Sequence, residues 1–129
     1  MWELTKSFRF EAAHALPGTT LGEASEEIHG HSFRAEVTVR GLPDPATGMV
    51  LDLGLLEQRM ADVRKKLDHK LLNKVEALGP PTLENLSRFI WEQVRHAGRS
   101  RGSAFSATVA TRAAAISARR ISLRRWTSP

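Results

Sequence analysis

The sequence predicts an α+β domain, an antiparallel sheet carrying two helices on one face. Three observations lead there. Two long segments, 2–14 and 31–40, alternate apolar and polar residues with a period of two. Two later segments, around 56–67 and 83–90, repeat apolar residues every three or four positions. Proline and glycine punctuate the chain between these patterns, at 41–48 and again at 79–81.

In the first segment Trp2, Leu4, Lys6, Phe8, Phe10, Ala12 and His14 share one face, and Glu3, Thr5, Ser7, Arg9 and Glu11 the other. This reads as a half-buried strand with His14 at its end. Residues 15–28, with Pro17, Gly18 and Gly22, read as a loop. The second strand places His31, Phe33, Ala35, Val37 and Val39 on its apolar face, so the two strands can pair as an antiparallel hairpin. A bulge in either one would break that shared face.

After the turn at Gly41–Gly48, Met49 to Leu53 is a short extended piece. The first helix follows, with Leu56, Met60, Val63 and Leu67 as its buried stripe. Asp62 and Lys66 form an expected i,i+4 pair on its other side. The helix should end near Asp68-His69, and Lys70 to Asn73 closes it. Thr82 is a natural N-cap for the second helix, with Glu84 favoured in its first turn by the helix dipole. Leu83, Leu86, Phe89 and Ile90 give its stripe, and it should end near His96-Ala97-Gly98. Weak alternation at Phe105, Ala107, Val109 and Thr111, and the run from Ala115 to Leu123, suggest two further strands.

With 129 residues and no cysteine, the chain suits one domain, and disulfides and thiolate metal sites are excluded. No stretch reaches the 18 or so apolar residues of a membrane span, and the N-terminus lacks a signal-peptide layout. The expected location is the cytoplasm. The net charge of +5 hides a division. Residues 1–92 carry all 14 carboxylates against 11 basic residues, net −3, whereas 93–129 carry eight arginines and no carboxylate. That arginine-rich end, from about 98, lacks interleaved aromatics apart from Trp126, so nucleic-acid binding is not expected.

The chemistry concentrates in Glu26-Glu27-Ile28-His29-Gly30-His31. His-x-His on a strand sets both imidazoles on one face, about 6.5–7 Å apart at the Cα atoms. His14 could complete a trio, and three histidines leave a zinc ion one open position, as in catalytic zinc sites. Taken alone, His14 reads as a hydrogen-bonded core residue. Two buried imidazoles side by side, however, are costly without a shared partner. Asp68-His69 offers a carboxylate-oriented acid or base; the plainer reading is a solvated helix end. Glu26 and Glu27 read either as a base beside the histidines or as solvated loop charges.

Five short matches in register carry a resemblance. They are Phe10-Glu11-Ala12-Ala13-His14, His29-Gly30-His31-Ser32-Phe33, Gly48-Met49-Val50-Leu51-Asp52, Leu67 to Asn73, and Pro81-Thr82-Leu83-Glu84-Asn85. Over residues 1 to about 95 the chain resembles the 6-pyruvoyltetrahydropterin synthase family, which includes the 6-carboxytetrahydropterin synthases. The resemblance implies a tunnelling fold: a four-stranded antiparallel sheet with two helices, assembled into a trimer-based barrel, commonly a hexamer. It implies zinc on His14, His29 and His31, and a GTP-derived dihydropterin substrate, typically 7,8-dihydroneopterin triphosphate. It also implies a catalytic relay through Asp68 and His69, with Thr82 and Glu84 near the bound pterin.

Two departures qualify what is implied. The catalytic cysteine of the carboxypterin synthases is replaced by Ser25, a far poorer base than a thiolate. The adjacent Glu26 gives Glu-x-x-His-Gly-His, similar to a subfamily in which glutamate replaces that cysteine and the pterin side chain is cleaved to 6-hydroxymethyl-7,8-dihydropterin. The other expected activities are 6-carboxy- or 6-pyruvoyltetrahydropterin synthesis, and an inactive zinc-holding member. The second departure is the pterin-anchoring glutamate of the family's third strand. No carboxylate follows Glu92 here, and Thr111 lies near the expected place.

Overall fold

A computed structural model describes residues 1–16, 18, 26–95, 104–112 and 114–119. Strand β1 spans Trp2–His14 and β2 spans His29–Gly41. They pair antiparallel without a bulge, from Trp2 opposite Gly41 to His14 opposite His29. The unbroken register keeps Phe10, Ala12 and His14 on the same face as Phe33, His31 and His29. Phe10 and Phe33 stack there with ring centroids 4.9 Å apart.

Helix α1 spans Leu53–Leu67 and buries Leu56, Met60, Val63 and Leu67, the stripe expected from spacing. It starts at Leu53 because Asp52 caps it, accepting from the Gly54 N–H at 2.9 Å. The expected Asp62–Lys66 pair gives way to a contact between helices. Lys66 Nζ donates to Gln93 Oε1 at 2.9 Å, and the i,i+4 ion pair of this helix is Arg64 to Asp68 at 3.1 Å.

The segment after the helix does more than close it. Lys70–Leu71 forms a short strand, β3, parallel to β1 at Ala12 and Ala13, and a 3-10 turn follows at Leu72–Lys74. Helix α2 spans Leu83–Val94, capped by Thr82, whose Oγ1 accepts from the Asn85 N–H at 3.1 Å. The expected end at His96 to Gly98 lies outside the described residues. Strands β4, Ala104–Ala110, and β5, Ala115–Arg119, extend the sheet antiparallel; the rest of the expected strand to Leu123 also lies outside.

The sheet order is β3-β1-β2-β4-β5. Four antiparallel strands were expected; β3 adds a fifth, mixed in direction and too short for any periodicity to mark. Both helices pack on one face, where Phe10, Phe33, Val37 and Val39 meet Leu56, Leu67, Leu86 and Ile90 in a single core. Phe105, Ala107 and Val109 are buried in it as well, so the weak alternation at 105–109 is a true strand face. Trp91 Nε1 donates to the Phe105 carbonyl at 2.9 Å and ties α2 to β4. The opposite face is polar and exposed, and no described helix is long and apolar enough to cross a membrane.

Candidate active site

The β1–β2 register brings His14, His29 and His31 together at one end of the sheet. One ring nitrogen from each lies within 4.8 Å of the others. His14 is buried at 4% exposure, and its Nδ1 donates to the Pro81 carbonyl at 2.8 Å. His29 Nδ1 donates to the Glu27 carbonyl at 2.8 Å. A carbonyl can only accept, so each of these rings carries its proton on Nδ1. With both rings neutral, the two Nε2 atoms present lone pairs to each other across 3.0 Å.

Two acceptors at that distance repel unless a cation lies between them. The donor set therefore fits a divalent metal, with backbone carbonyls fixing the tautomers of two ligands. Burial, ahead of the electrostatic influence of His29, holds His14 below its ordinary pKa of 6.5, although the Pro81 carbonyl offsets part of this. Burial also lowers His31, followed by the influence of His14 and His29. Neutral rings are the form that binds metal.

A second group sits where α1 ends against β1. Asp68 Oδ1 accepts from the Glu11 N–H at 2.9 Å, and its Oδ2 receives His69 Nδ1 at 3.0 Å and Arg64 at 3.1 Å. The Glu11 N–H is the main cause that holds the Asp68 carboxyl below the usual carboxylate range, with His69 and Arg64 adding to it. His69 itself is fixed by donating its N–H to the Glu11 carbonyl at 2.6 Å, in a left-handed backbone conformation with φ 58°. Its ring is 78% exposed. Such strain in a residue other than glycine marks a position that its surroundings over-determine. Asp68 is therefore more than a solvated helix end, since it orients an exposed imidazole. His31 and His69 line one shallow, open cavity of about 540 Å³ together with Glu11, Ser32 and Lys70.

A family model described as 6-pyruvoyl tetrahydropterin synthase matches residues 3–116. The chain belongs to this family. It is 41% identical over 106 residues to a 6-pyruvoyl tetrahydrobiopterin synthase of Drosophila melanogaster, covering 71% of this chain and 63% of that protein. It is also 41% identical over 86 residues to a dihydroneopterin monophosphate aldolase of Pyrococcus furiosus, covering 67% of this chain and 68% of the other. Among solved structures, the Caenorhabditis elegans 6-pyruvoyl tetrahydropterin synthase superposes with a TM-score of 0.75 at 25% identity, covering 92% of this chain and 94% of that one. The chain is thus a pterin-metabolising enzyme of the tetrahydropterin synthase family.

The other residues singled out in the sequence fall around this framework. Thr82 is half-buried and spends its hydroxyl on the α2 cap, next to the Pro81 carbonyl that holds His14. Glu84 is exposed in the first turn of α2. Glu26 is exposed just ahead of β2, outside the hydrogen bonds that join the histidines, and Ser25 lies outside the described residues. Spacing also leaves some contributors unmarked. Asn73 accepts from the Ala15 N–H at 2.9 Å and donates to the Ala15 carbonyl at 3.0 Å, clamping the backbone directly after His14. Glu11 takes a hydrogen bond from Ser32 Oγ at 2.7 Å and brings a carboxylate to the cavity wall. The missed signal for Glu11 was its place one residue outside the apolar parity, on the same strand as His14.

Proposed function

We propose that this chain is a zinc-dependent pterin enzyme that cleaves the side chain of 7,8-dihydroneopterin, or its phosphorylated form, to 6-hydroxymethyl-7,8-dihydropterin. The observation that carries the reading is Glu26, three residues ahead of a histidine pair, with serine and not cysteine before it. The Pyrococcus relative named an aldolase supports the same chemistry.

In this reading His14, His29 and His31 hold zinc. Once bound, it supplies polarisation of the side-chain hydroxyls and eases loss of their protons. Glu26 takes the proton from the C2′ hydroxyl. The C1′–C2′ bond then breaks, the C2′ oxygen becomes the carbonyl of the released two-carbon aldehyde fragment, and the electron pair remains with C1′ and the ring. His69, oriented by the Asp68 carboxylate, returns a proton to C1′. Thr82 and Glu84 contribute to binding the pterin, Glu84 as an acceptor for its N–H groups. Glu84 would stand in for the carboxylate that is missing after Glu92. The protein works as a trimer-based homo-oligomer, a hexamer in the simplest case.

The second reading is 6-pyruvoyl- or 6-carboxytetrahydropterin synthesis, the former favoured by the name of the Drosophila relative. One experiment separates them. Purified protein is loaded with zinc, incubated with dihydroneopterin and with its triphosphate, and the pterins are resolved by chromatography. The 6-hydroxymethyl product, absent in E26Q, supports cleavage, whereas a 6-carboxy or 6-pyruvoyl product supports the synthase. Stoichiometric zinc without any turnover marks an inactive member.

A further inference from the structure

Beside the cavity of His31 and His69 lies a second cleft of about 600 Å³. Three ammonium groups line it from three successive elements: Lys66 in the last turn of α1, Lys70 in β3 and Lys74 in the 3-10 turn. Glu76 is the carboxylate on its wall, and Leu71, Val75 and Phe89 make the apolar part. Lys70 and Leu71 belong to the walls of both, so the two spaces lie on either side of one short strand.

Among the described residues, the lysines remain available to a ligand. Lys66 spends one of its three N–H groups on Gln93, a neutral amide that leaves the charge in place. All three are exposed residues. Three lysines against the one carboxylate of Glu76 leave the cleft with a net positive charge of +2, which favours an anion. The segment is also held in shape. His69, with φ 58°, and Ala77, with φ 67°, bracket it, and they are the positive-φ non-glycine residues of the described chain.

We propose that this cleft is the anion subsite of the same active site. Lys66, Lys70 and Lys74 hold the phosphate at the end of the substrate side chain, while the reacting carbons occupy the cavity of His31 and His69. The identity of that substrate rests on the pterin reading above; capture of a phosphate does not. Ammonium groups bind phosphate oxygens through short, charge-assisted hydrogen bonds. In side-chain cleavage the phosphate takes no part in bond breaking. Its binding energy is the same in the ground state and the transition state, so it acts on KM and leaves kcat alone.

The test has two arms on the zinc-loaded full chain. In the first, tripolyphosphate is titrated by calorimetry at low salt into wild type, K66Q, K70Q, K74Q and the triple variant. Unchanged zinc content and circular dichroism verify folding. Each single change should weaken binding on the order of threefold to fivefold and the triple change by more than about tenfold. K74R, which keeps the charge, should bind as wild type does. In the second arm, the double variant K66Q/K74Q, which leaves Lys70 of the reacting cavity in place, should raise KM for phosphorylated dihydroneopterin and leave kcat, and the KM of the unphosphorylated compound, unmoved. Wild-type tripolyphosphate affinity in the triple variant, or an equal rise of KM for both compounds, overturns the proposal. If no pterin is turned over at all, the functional reading fails while the calorimetric arm still judges the cleft.

Discussion

Two imidazole nitrogens facing each other across 3.0 Å make the metal reading testable at the level of single atoms. Replacing His29 by Ala removes one of the two and should lower zinc affinity by at least about tenfold, measured by competition with a chromogenic chelator. Retention of wild-type affinity would dissociate this histidine from the metal. The acid side of the same site has a definite sign. In the metal-free protein, His14 and His31 have pKa values below the unfolded 6.5. The unfolded chain therefore binds more protons than the folded one just below that pH, and stability falls as the pH drops below about 6.5 until the folded rings protonate too. Asp68 acts with the same sign in a lower window. Its contribution is intact above the unfolded value of 3.8 and disappears as the pH falls through its depressed folded value. Thermal melts of metal-free wild type and H31N between pH 7.5 and 5.5 should show a shallower slope for the variant. At the relay, D68N keeps the side-chain shape and loses the charge that holds the His69 ring. Turnover should fall on the order of a hundredfold, while the melting temperature falls only by what the lost charge contributed to stability. A variant with wild-type kcat would return Asp68 to a structural role.

At the scale of elements, the site hangs on how β1 ends. Asn73 makes both of its hydrogen bonds to Ala15, and Pro81 receives the His14 ring. Asn73→Ala should cost about 1–3 kcal/mol in chemical denaturation, since two backbone groups lose partners. It should also weaken zinc binding without touching a ligand; full zinc affinity in a destabilised variant would confine Asn73 to stability. The contrast with the histidines shows what a sequence reveals. Strand parity placed His14, His29 and His31 on one face because the β1–β2 register runs without a bulge, so a local rule holds over the whole hairpin. Helix periodicity found the stripe of Leu56, Met60, Val63 and Leu67 for the same reason. Asn73 and Ala15 are 58 residues apart, and a bond between them follows no period. β3 has two residues, fewer than one repeat of any pattern. The i,i+4 rule offered Lys66 only partners on its own helix, whereas the partner it takes, Gln93, arrives with the packing of α2. Glu26 remained the hardest residue to place, since its role depends on a carboxylate reaching the histidines from an irregular approach and not on a repeating face.

At the scale of the molecule, the sheet is left open at both sides among the described residues. On one side β3 covers only Ala12 and Ala13 of β1, so Trp2 to Phe8 have no strand partner there among the described residues. On the other, β5 is the outermost described strand. Open edges of this length invite pairing, and natural proteins cover them, charge them or close them. Different edges at the two sides favour head-to-tail contact, which closes into a ring when the rotation permits. Exposed apolar residues accompany the β1 side. Trp2 is 64% exposed and Met49 47%, and both line a cleft with Leu4 and Leu53. Burying a large apolar side chain contributes roughly 1.5–3 kcal/mol, enough for one such residue to shift an assembly equilibrium by an order of magnitude or more. Analytical ultracentrifugation should therefore find a multiple of the 14.3 kDa chain, and multiples of three under the assembly proposed above. The double variant W2K/M49K should move that distribution toward the single chain while its circular dichroism stays unchanged. A wild-type protein that sediments as a single chain across micromolar concentrations would refute the ring, and the open edges would then need another cover.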